Sequence, residues 1–241
     1  MPDDLRATER PRPGRTPDLP AAVLWDMDGT LIDSEPYWIA AEMELVEAHG
    51  GVWSHQDAVG LIGSALPDAA QILRSHGVDL GGAQITDFLL HRVVQQVTRA
   101  VPWQPGALGL LTALAAAGVP CALVTSSYRM LTASLVAAAP AGVFGAVVAG
   151  DDVTHGKPHP EPYLRAAALL GVDPRGCVAI EDSPPGIRSA LASGARTIGV
   201  QGTVQVAPQP GLSRIASLAD LTVHELCRVA RGDVLDLLTA R

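Results

Sequence analysis

"AAVLWDMDGT", residues 21–30, decides how the rest of the chain is read. Ala21 to Trp25 form an apolar run without a polar break, as in a strand buried on both faces, and the run stops at Asp26 and Asp28. Four similar runs lie far downstream: "VPCALVT" at 119–125, "GAVVAG" at 145–150, "GCVAIED" at 176–182 and "ARTIGV" at 195–200. Between them stand the Ala- and Leu-rich segments "ALGLLTALAAAG", "YRMLTASLVAAA", "EPYLRAAALLG" and "PPGIRSALASG", each closing near a glycine or proline as helices do. Strand alternating with helix predicts an α/β fold: a Rossmann-like parallel sheet covered by helices on both faces.

One interval breaks the alternation. From about 37 to 101 the chain shows helical periodicity without a buried strand, in "YWIAAEMELVEAHG", "LPDAAQILRSHG" and "AQITDFLLHRVVQQVTRA". An all-helical domain inserted after the first strand is expected there. "VPWQPGALGLL" returns the chain to the sheet, with Pro102 and Pro105 stiffening the hinge. The expected organisation is a disordered Pro- and Arg-rich extension at 1–20, an α/β body at 21–36 and 102–241, and the helical insertion at 37–101.

With 48% hydrophobic and 17% charged residues in 241, the chain has the composition of a packed globular protein. Its net charge of -8, without a basic stripe, argues against a nucleic-acid partner. Cys121, Cys177 and Cys227 are odd in number and widely spaced, which suggests neither a disulfide framework nor a zinc site. No apolar stretch is long enough to span a bilayer, and "MPDDLRATERPRPGRTPDLP" lacks the apolar centre of a signal peptide. A cytoplasmic protein without membrane contact, monomeric or weakly dimeric, is expected.

In open parallel sheets, sites form at the carboxyl ends of strands. Four such ends carry polar groups here. "DMDGT" supplies Asp26, Asp28 and Gly29, a glycine that lets backbone N–H groups come close to a ligand. "VTSS" supplies Thr125 and Ser126 at a strand-to-helix turn suited to anions. "HGKPHP", residues 155–160, holds Lys157, the only lysine in a chain whose other cationic side chains are all arginine. A compact ammonium suits a phosphate oxygen or a crowded carboxylate cluster better than a planar fork does. "EDS" adds Glu181 and Asp182. Four carboxylates on one rim repel unless a cation neutralises them, and a hard divalent ion, Mg²⁺, which commonly shares its shell with a phosphate, meets that need. The constellation reads as a phosphoryl-transfer site.

The order "DMDGTLIDSE", "VTSS", "GKPHPEPY" and "AIEDSPPGI", with a helical insertion after the first, resembles the haloacid dehalogenase superfamily and its beta-phosphoglucomutase-like phosphatase branch, over Ala21 to about Val200. The resemblance implies that Asp26 is the nucleophile, becoming an aspartyl phosphate, and that Asp28 protonates the leaving alcohol and then activates water. It implies a Mg²⁺ held by the Asp26 carboxylate, the Asp28 carbonyl and Asp182, with Glu181 in support. Gly29, Thr125, Ser126 and Lys157 would hold the phosphoryl oxygens. Asp26 must be ionised to attack, so Lys157 and the metal are expected to depress its pKa.

The insertion is then expected to act as a cap that closes over a small phosphorylated metabolite, such as a sugar or polyol monophosphate, and selects the leaving group. Mutases of this branch carry a histidine soon after the first motif and basic cap residues for a second phosphate. Trp38 and "GLIGSAL" stand in the corresponding places, which favours hydrolysis over the alternative of a beta-phosphoglucomutase-like mutase, with Arg74 and Arg92 as the remaining sources of charge. His155 and His159 are read as loop residues, because Gly156 and Pro158 oppose a helix that would align them. Trp38, Trp53 and Trp103 are read as core or hinge packing. Asp33 and Glu35 are equally suited to capping the next helix and to touching substrate, Asp151 and Asp152 are read as a solvated turn or cap, and Ser127 and Ser183 lie close to the site.

Overall fold

The computed structural model describes residues 19–238. The extension expected at 1–20 therefore lies outside the described residues except for its last two. Six strands form one sheet: β1 (Ala22–Trp25), β2 (Cys121–Val124), β3 (Phe144–Val148), β4 (Cys177–Glu181), β5 (Arg196–Val200) and β6 (Leu212–Ile215). Their order is β3-β2-β1-β4-β5-β6 and every pairing is parallel. The chain runs outward from β1 to β3, then returns to place β4 on the other side of β1. That reversal makes the carboxyl end of β1 a topological switch point, where open α/β sheets bind ligands.

Alternation along the strands splits the body core into two layers. Val23, Trp25, Leu123, Val178 and Ile180 join one cluster with Leu110, Leu111, Leu131 and Leu226, from α5 (Ala107–Ala116), α6 (Arg129–Ala138) and α9 (Val223–Ala230). Ala22, Leu24, Ala122, Val124 and Ala179 join the other with Tyr163, Ala166, Ala167 and Ala190, from α7 (Glu161–Leu170) and α8 (Pro184–Ser193). The α/β expectation is borne out. The strand β6 and helix α9 escaped it: "LSRI" is short and half polar, and its buried Arg214 is satisfied by Asp236 at 2.5 Å and by the Val206 carbonyl at 3.1 Å.

Between β1 and α5 lie α1 (Glu35–Ala48), a short α2 (His55–Val59) not anticipated from the sequence, α3 (Leu66–Ser75) and α4 (Gly82–Arg99). They bury a cluster of their own around Leu45, Val46, Trp53, Leu73, Ile85 and Leu89. Helix α4 belongs to both units, since Ile85 and Leu89 enter this cluster while Leu90, Val93 and Val97 enter the body core. The two connecting segments lie side by side. Asp33 N–H donates to the Pro102 carbonyl at 2.8 Å and Gln104 N–H to the Leu31 carbonyl at 2.9 Å.

Candidate active site

Register places the rim. Trp25 stands level with Leu123 of β2 and Ile180 of β4, so Asp26 emerges between the carboxyl ends of both neighbours, its N–H donating to the Ile180 carbonyl at 3.0 Å. Lys157 comes to the same point from the loop after β3. Its Nζ donates to Asp26 Oδ1 at 2.5 Å, to Glu181 Oε1 at 2.6 Å and to the Val124 carbonyl at 3.0 Å, so all three ammonium protons are spent. The lysine and aspartate side chains are only 2% and 7% exposed. Burial opposes the ammonium charge, but Asp26 and Glu181 outweigh it and hold Lys157 above the usual lysine range.

Asp28 sits in a cage of donors from two directions. Ser34 Oγ at 2.5 Å and Trp38 Nε1 at 3.2 Å donate to its Oδ1; Ser127 Oγ at 2.7 Å and Thr125 Oγ1 at 3.2 Å donate to its Oδ2. Ser34 stands at the N-cap of α1 yet makes no capping bond, because its hydroxyl is given to Asp28. Of the two readings left open for Asp33 and Glu35, capping is not filled: Asp33 is exposed, and Glu35, in the first turn of α1, takes the Thr203 hydroxyl on Oε2 and lines the cavity.

Glu181 and Asp182 divide their work. Glu181 Oε1 accepts from Lys157 and from the Tyr163 hydroxyl at 2.8 Å, while Oε2 accepts from the N–H groups of Asp182 and Ser183 and from Ser183 Oγ. Ser183 is also the side-chain N-cap of α8. Asp182 Oδ1 accepts from Thr30 Oγ1 at 2.9 Å. Its Oδ2 lies against Gly29, where a Cβ would come within 2.2 Å, and Gly29 itself has φ +83°. Glycine is required there both for the left-handed turn and for the approach of the carboxylate.

The expectation for Asp26 joined Lys157 to a metal, and the protein groups by themselves act the other way. Asp26 is pushed up to about 7 by burial and by the Glu181 charge, against the opposing pull of Lys157. One lysine does not suffice to depress it, because Glu181 shares the same ammonium. Asp182 is likewise raised well above the carboxylate range by burial and by Asp26 and Glu181. Ligand oxygens of Asp26, Glu181 and Asp182 lie within 4.8 Å of one another, and all three residues are buried. A crowded all-oxygen donor set short of positive charge fits a hard divalent cation such as Mg²⁺.

One cavity joins this rim to the helical insertion. Asp26, Asp28, Thr125, Ser126, Ser127, Lys157 and Ser183 line it from the body, and Glu35, Trp38, Glu42, Leu61, Ile62 and Leu66 are among those that face them. The structure thus brings Asp26, Asp28, Thr125, Ser126 and Lys157 to one cavity and Glu181 and Asp182 beneath it, with Gly29 packed on Asp182. Trp38 bears out the packing reading and adds to it: its ring packs on neighbouring core residues while its N–H reaches Asp28 in the cavity, the amphipathic use open to indole. Trp53 and Trp103 stay outside the cavity; Trp53 donates to Glu42 Oε2 at 3.2 Å. Arg92 pairs with Glu44 on the surface, and neither it nor Arg74 lines the cavity.

His155 and His159 lie in a loop, and their rings are 4.7 Å apart. Asp151 and Asp152 bear out the reading of a turn and cap: Asp151 is exposed and accepts from the Arg129 N–H at the start of α6, and Asp152 accepts from the Ala149 N–H and from the Arg129 side chain. Thr30, Ser34, Glu42, Tyr163 and Thr203 were not singled out from the sequence. Thr30 and Tyr163 lie inside the quoted motifs "DMDGT" and "GKPHPEPY", so spacing alone held a signal for them; Glu42 and Thr203 carry none.

The geometry defines an α/β enzyme with an acidic, lysine-bearing rim. The profile described as haloacid dehalogenase-like hydrolase matches residues 20–194. Hexitol phosphatase B of Escherichia coli (strain K12) is 31% identical over 231 residues, covering 91% of this chain and 99% of the relative. Protein CbbY of Rhodobacter capsulatus is 34% identical over 193 residues, covering 73% and 83%. Among solved structures, CbbY from Rhodobacter sphaeroides in complex with phosphate superposes with a TM-score of 0.75 at 28% identity, covering 83% of this chain and 96% of that one. The chain belongs to the haloacid dehalogenase-like hydrolase family.

Proposed function

We propose that the protein is a Mg²⁺-dependent phosphatase that hydrolyses a small phosphorylated metabolite, a sugar or polyol monophosphate, through an aspartyl phosphate on Asp26. The observation that carries the reading is the shared ammonium. Lys157 binds Asp26 at 2.5 Å and Glu181 at 2.6 Å, which fixes one carboxylate oxygen of Asp26 and leaves the other for attack. Asp26 attacks phosphorus, the ester P–O bond breaks, and Asp28 gives its proton to the departing alkoxide. Water then attacks phosphorus, Asp28 takes the water's proton, and the bond to Asp26 breaks to release phosphate. Ser34 and Ser127 suit this cycle because a hydroxyl can turn from donor to acceptor when Asp28 holds the proton.

Asp26, the Asp28 carbonyl and Asp182 would hold the metal, which supplies positive charge to the phosphoryl oxygens and lets Asp26 ionise. Glu181 serves better as the brace of Lys157, since both its oxygens already accept protein donors. Gly29, Thr125, Ser126 and Lys157 would receive the phosphoryl group. Residues 37–101 act as the cap over the substrate, with the connecting segments 31–33 and 102–104 as the hinge. A reducing, cytoplasmic setting is part of the reading and is supported by the buried free thiols Cys121, Cys177 and Cys227.

Hydrolysis is favoured over the mutase alternative because the described cavity lining holds no cationic side chain besides Lys157, leaving a second phosphate without a partner. That relatives include hexitol phosphatases supports the same substrate class. The test is phosphate release from sugar and polyol monophosphates with and without Mg²⁺, with Asp26→Asn as blank. Metal-dependent release lost in the variant supports the reading; ester phosphate that is relocated and never freed favours the mutase.

A further inference from the structure

We propose that Glu42, with Glu35 beside it, makes the cap wall a selector for leaving groups that are uncharged and rich in hydroxyls, and a barrier to substrates carrying a second anion. The inference rests on the phosphatase reading and names the group opposite the phosphate. Glu42 is on the second turn of α1, only 5% exposed, and lines the cavity shared with Asp26 and Lys157. Its Oε2 takes the Trp53 N–H, while Oε1 has no hydrogen-bond donor among the described residues. At Glu35, Oε2 takes the Thr203 hydroxyl, and Oε1 is buried with no donor among the described residues. A buried acceptor without a donor, as at Glu35 Oε1, is costly, and a ligand that brings O–H groups removes the cost.

The surroundings narrow the ligand further. Besides these two carboxylates, the cap side of the cavity consists of Trp38, Ser64 and apolar residues such as Ile39, Leu61 and Ile62. Carboxylate acceptors beside an aromatic and aliphatic wall suit a carbon chain bearing hydroxyls, which offers both O–H donors and C–H faces. A carboxylate or second phosphate in that space would meet two buried acids and no cation, at a distance from Lys157 already fixed by its three bonds. Burial pushes Glu42 up to about 7 and raises Glu35, against the lowering pull of the Trp53 and Thr203 hydrogen bonds.

The test compares kcat/KM, with Mg²⁺, for sorbitol 6-phosphate, phosphoglycolate, fructose 1,6-bisphosphate, phosphoethanolamine and p-nitrophenyl phosphate, in the native protein and in Glu42→Gln. The native protein is expected to prefer sorbitol 6-phosphate over both anionic-tailed substrates by about 10-fold or more. Glu42→Gln should raise KM for sorbitol 6-phosphate by about 10-fold, leave kcat within about 3-fold and narrow the preference over anionic tails, with a clearly smaller change in KM for p-nitrophenyl phosphate. Equal use of neutral and anionic tails, a best rate with phosphoethanolamine, or a Glu42→Gln loss that is uniform across the panel overturns the proposal. Should no substrate release phosphate, the phosphatase reading fails by itself. Binding of the same panel, followed by tryptophan fluorescence, then still decides the selectivity: tighter binding of sorbitol 6-phosphate than of the anionic compounds upholds it, and the reverse or equality overturns it.

Discussion

Trp38, at the start of the cap, donates its indole N–H to Asp28 Oδ1 across 3.2 Å, so the inserted helices hold the orientation of a carboxylate that belongs to the sheet. On the proposed reading of residues 37–101 as a cap, closure would also place Asp28. Trp38→Phe keeps the ring and removes the donor. It is expected to lower kcat by about 3- to 10-fold, the worth of one ordinary hydrogen bond, with little change in thermal stability. Steady-state rates with p-nitrophenyl phosphate check this, and an unchanged kcat would remove the coupling.

Lys157 is expected to be irreplaceable by arginine. Its ammonium is enclosed by Asp26, Glu181, the Val124 carbonyl and the ring of Tyr163, whose centroid is 5.4 Å away, which leaves no space for a planar fork. Lys157→Arg should lower kcat at least about 100-fold. Lys157→Met leaves two buried carboxylates uncompensated and should destabilise the fold by about 3–5 kcal/mol at pH 8 in urea unfolding. At pH 5 the loss should shrink, because Asp26, raised to about 7, is then protonated.

Glu42 makes stability depend on pH in the direction opposite to that of a salt-bridged acid. Its folded pKa is raised from 4.5 to about 7, so the folded state binds the proton more tightly than the unfolded chain does. Stability therefore falls as pH rises from about 4.5 to about 7 and is level above that. Glu42→Gln removes this term and is expected to gain about 1–3 kcal/mol relative to the native protein at pH 8 compared with pH 5. A difference between the two proteins that is the same at both pH values contradicts the assignment.

Metal binding should stabilise the fold, since it relieves the repulsion among Asp26, Glu181 and Asp182. Saturating Mg²⁺ is expected to raise Tm by about 2–6 °C, a chelator to reverse the shift, and Asp182→Asn to abolish it. A Tm indifferent to Mg²⁺ in the native protein would remove the metal from the account.

Legibility in the sequence followed the range of the physics. The strands β1, β2 and β4 were readable because a strand buried on both faces must be continuously apolar, and Trp25, Val124 and Ile180 end such runs. Asp26, Lys157 and Asp182 stood out because a parallel sheet collects its strand ends on one rim. What was not legible depends on contacts between distant segments. Glu42 has no sequence neighbour that marks it as a cavity wall, Thr203 meets Glu35 across 168 positions, and α4 serves two cores through residues that share one ordinary amphipathic pattern. The strand β6 was hidden by Arg214, whose partner Asp236 lies 22 residues further on.

The central claim is that Asp26 carries the phosphoryl group. The most direct measurement is to quench the native protein during turnover, reduce it with borohydride and locate the reduced acyl phosphate by peptide mass spectrometry. The account predicts Asp26 converted to homoserine, in a Mg²⁺-dependent amount that Lys157→Arg diminishes. Conversion at another residue, or phosphate release by Asp26→Asn at the native rate, would contradict it.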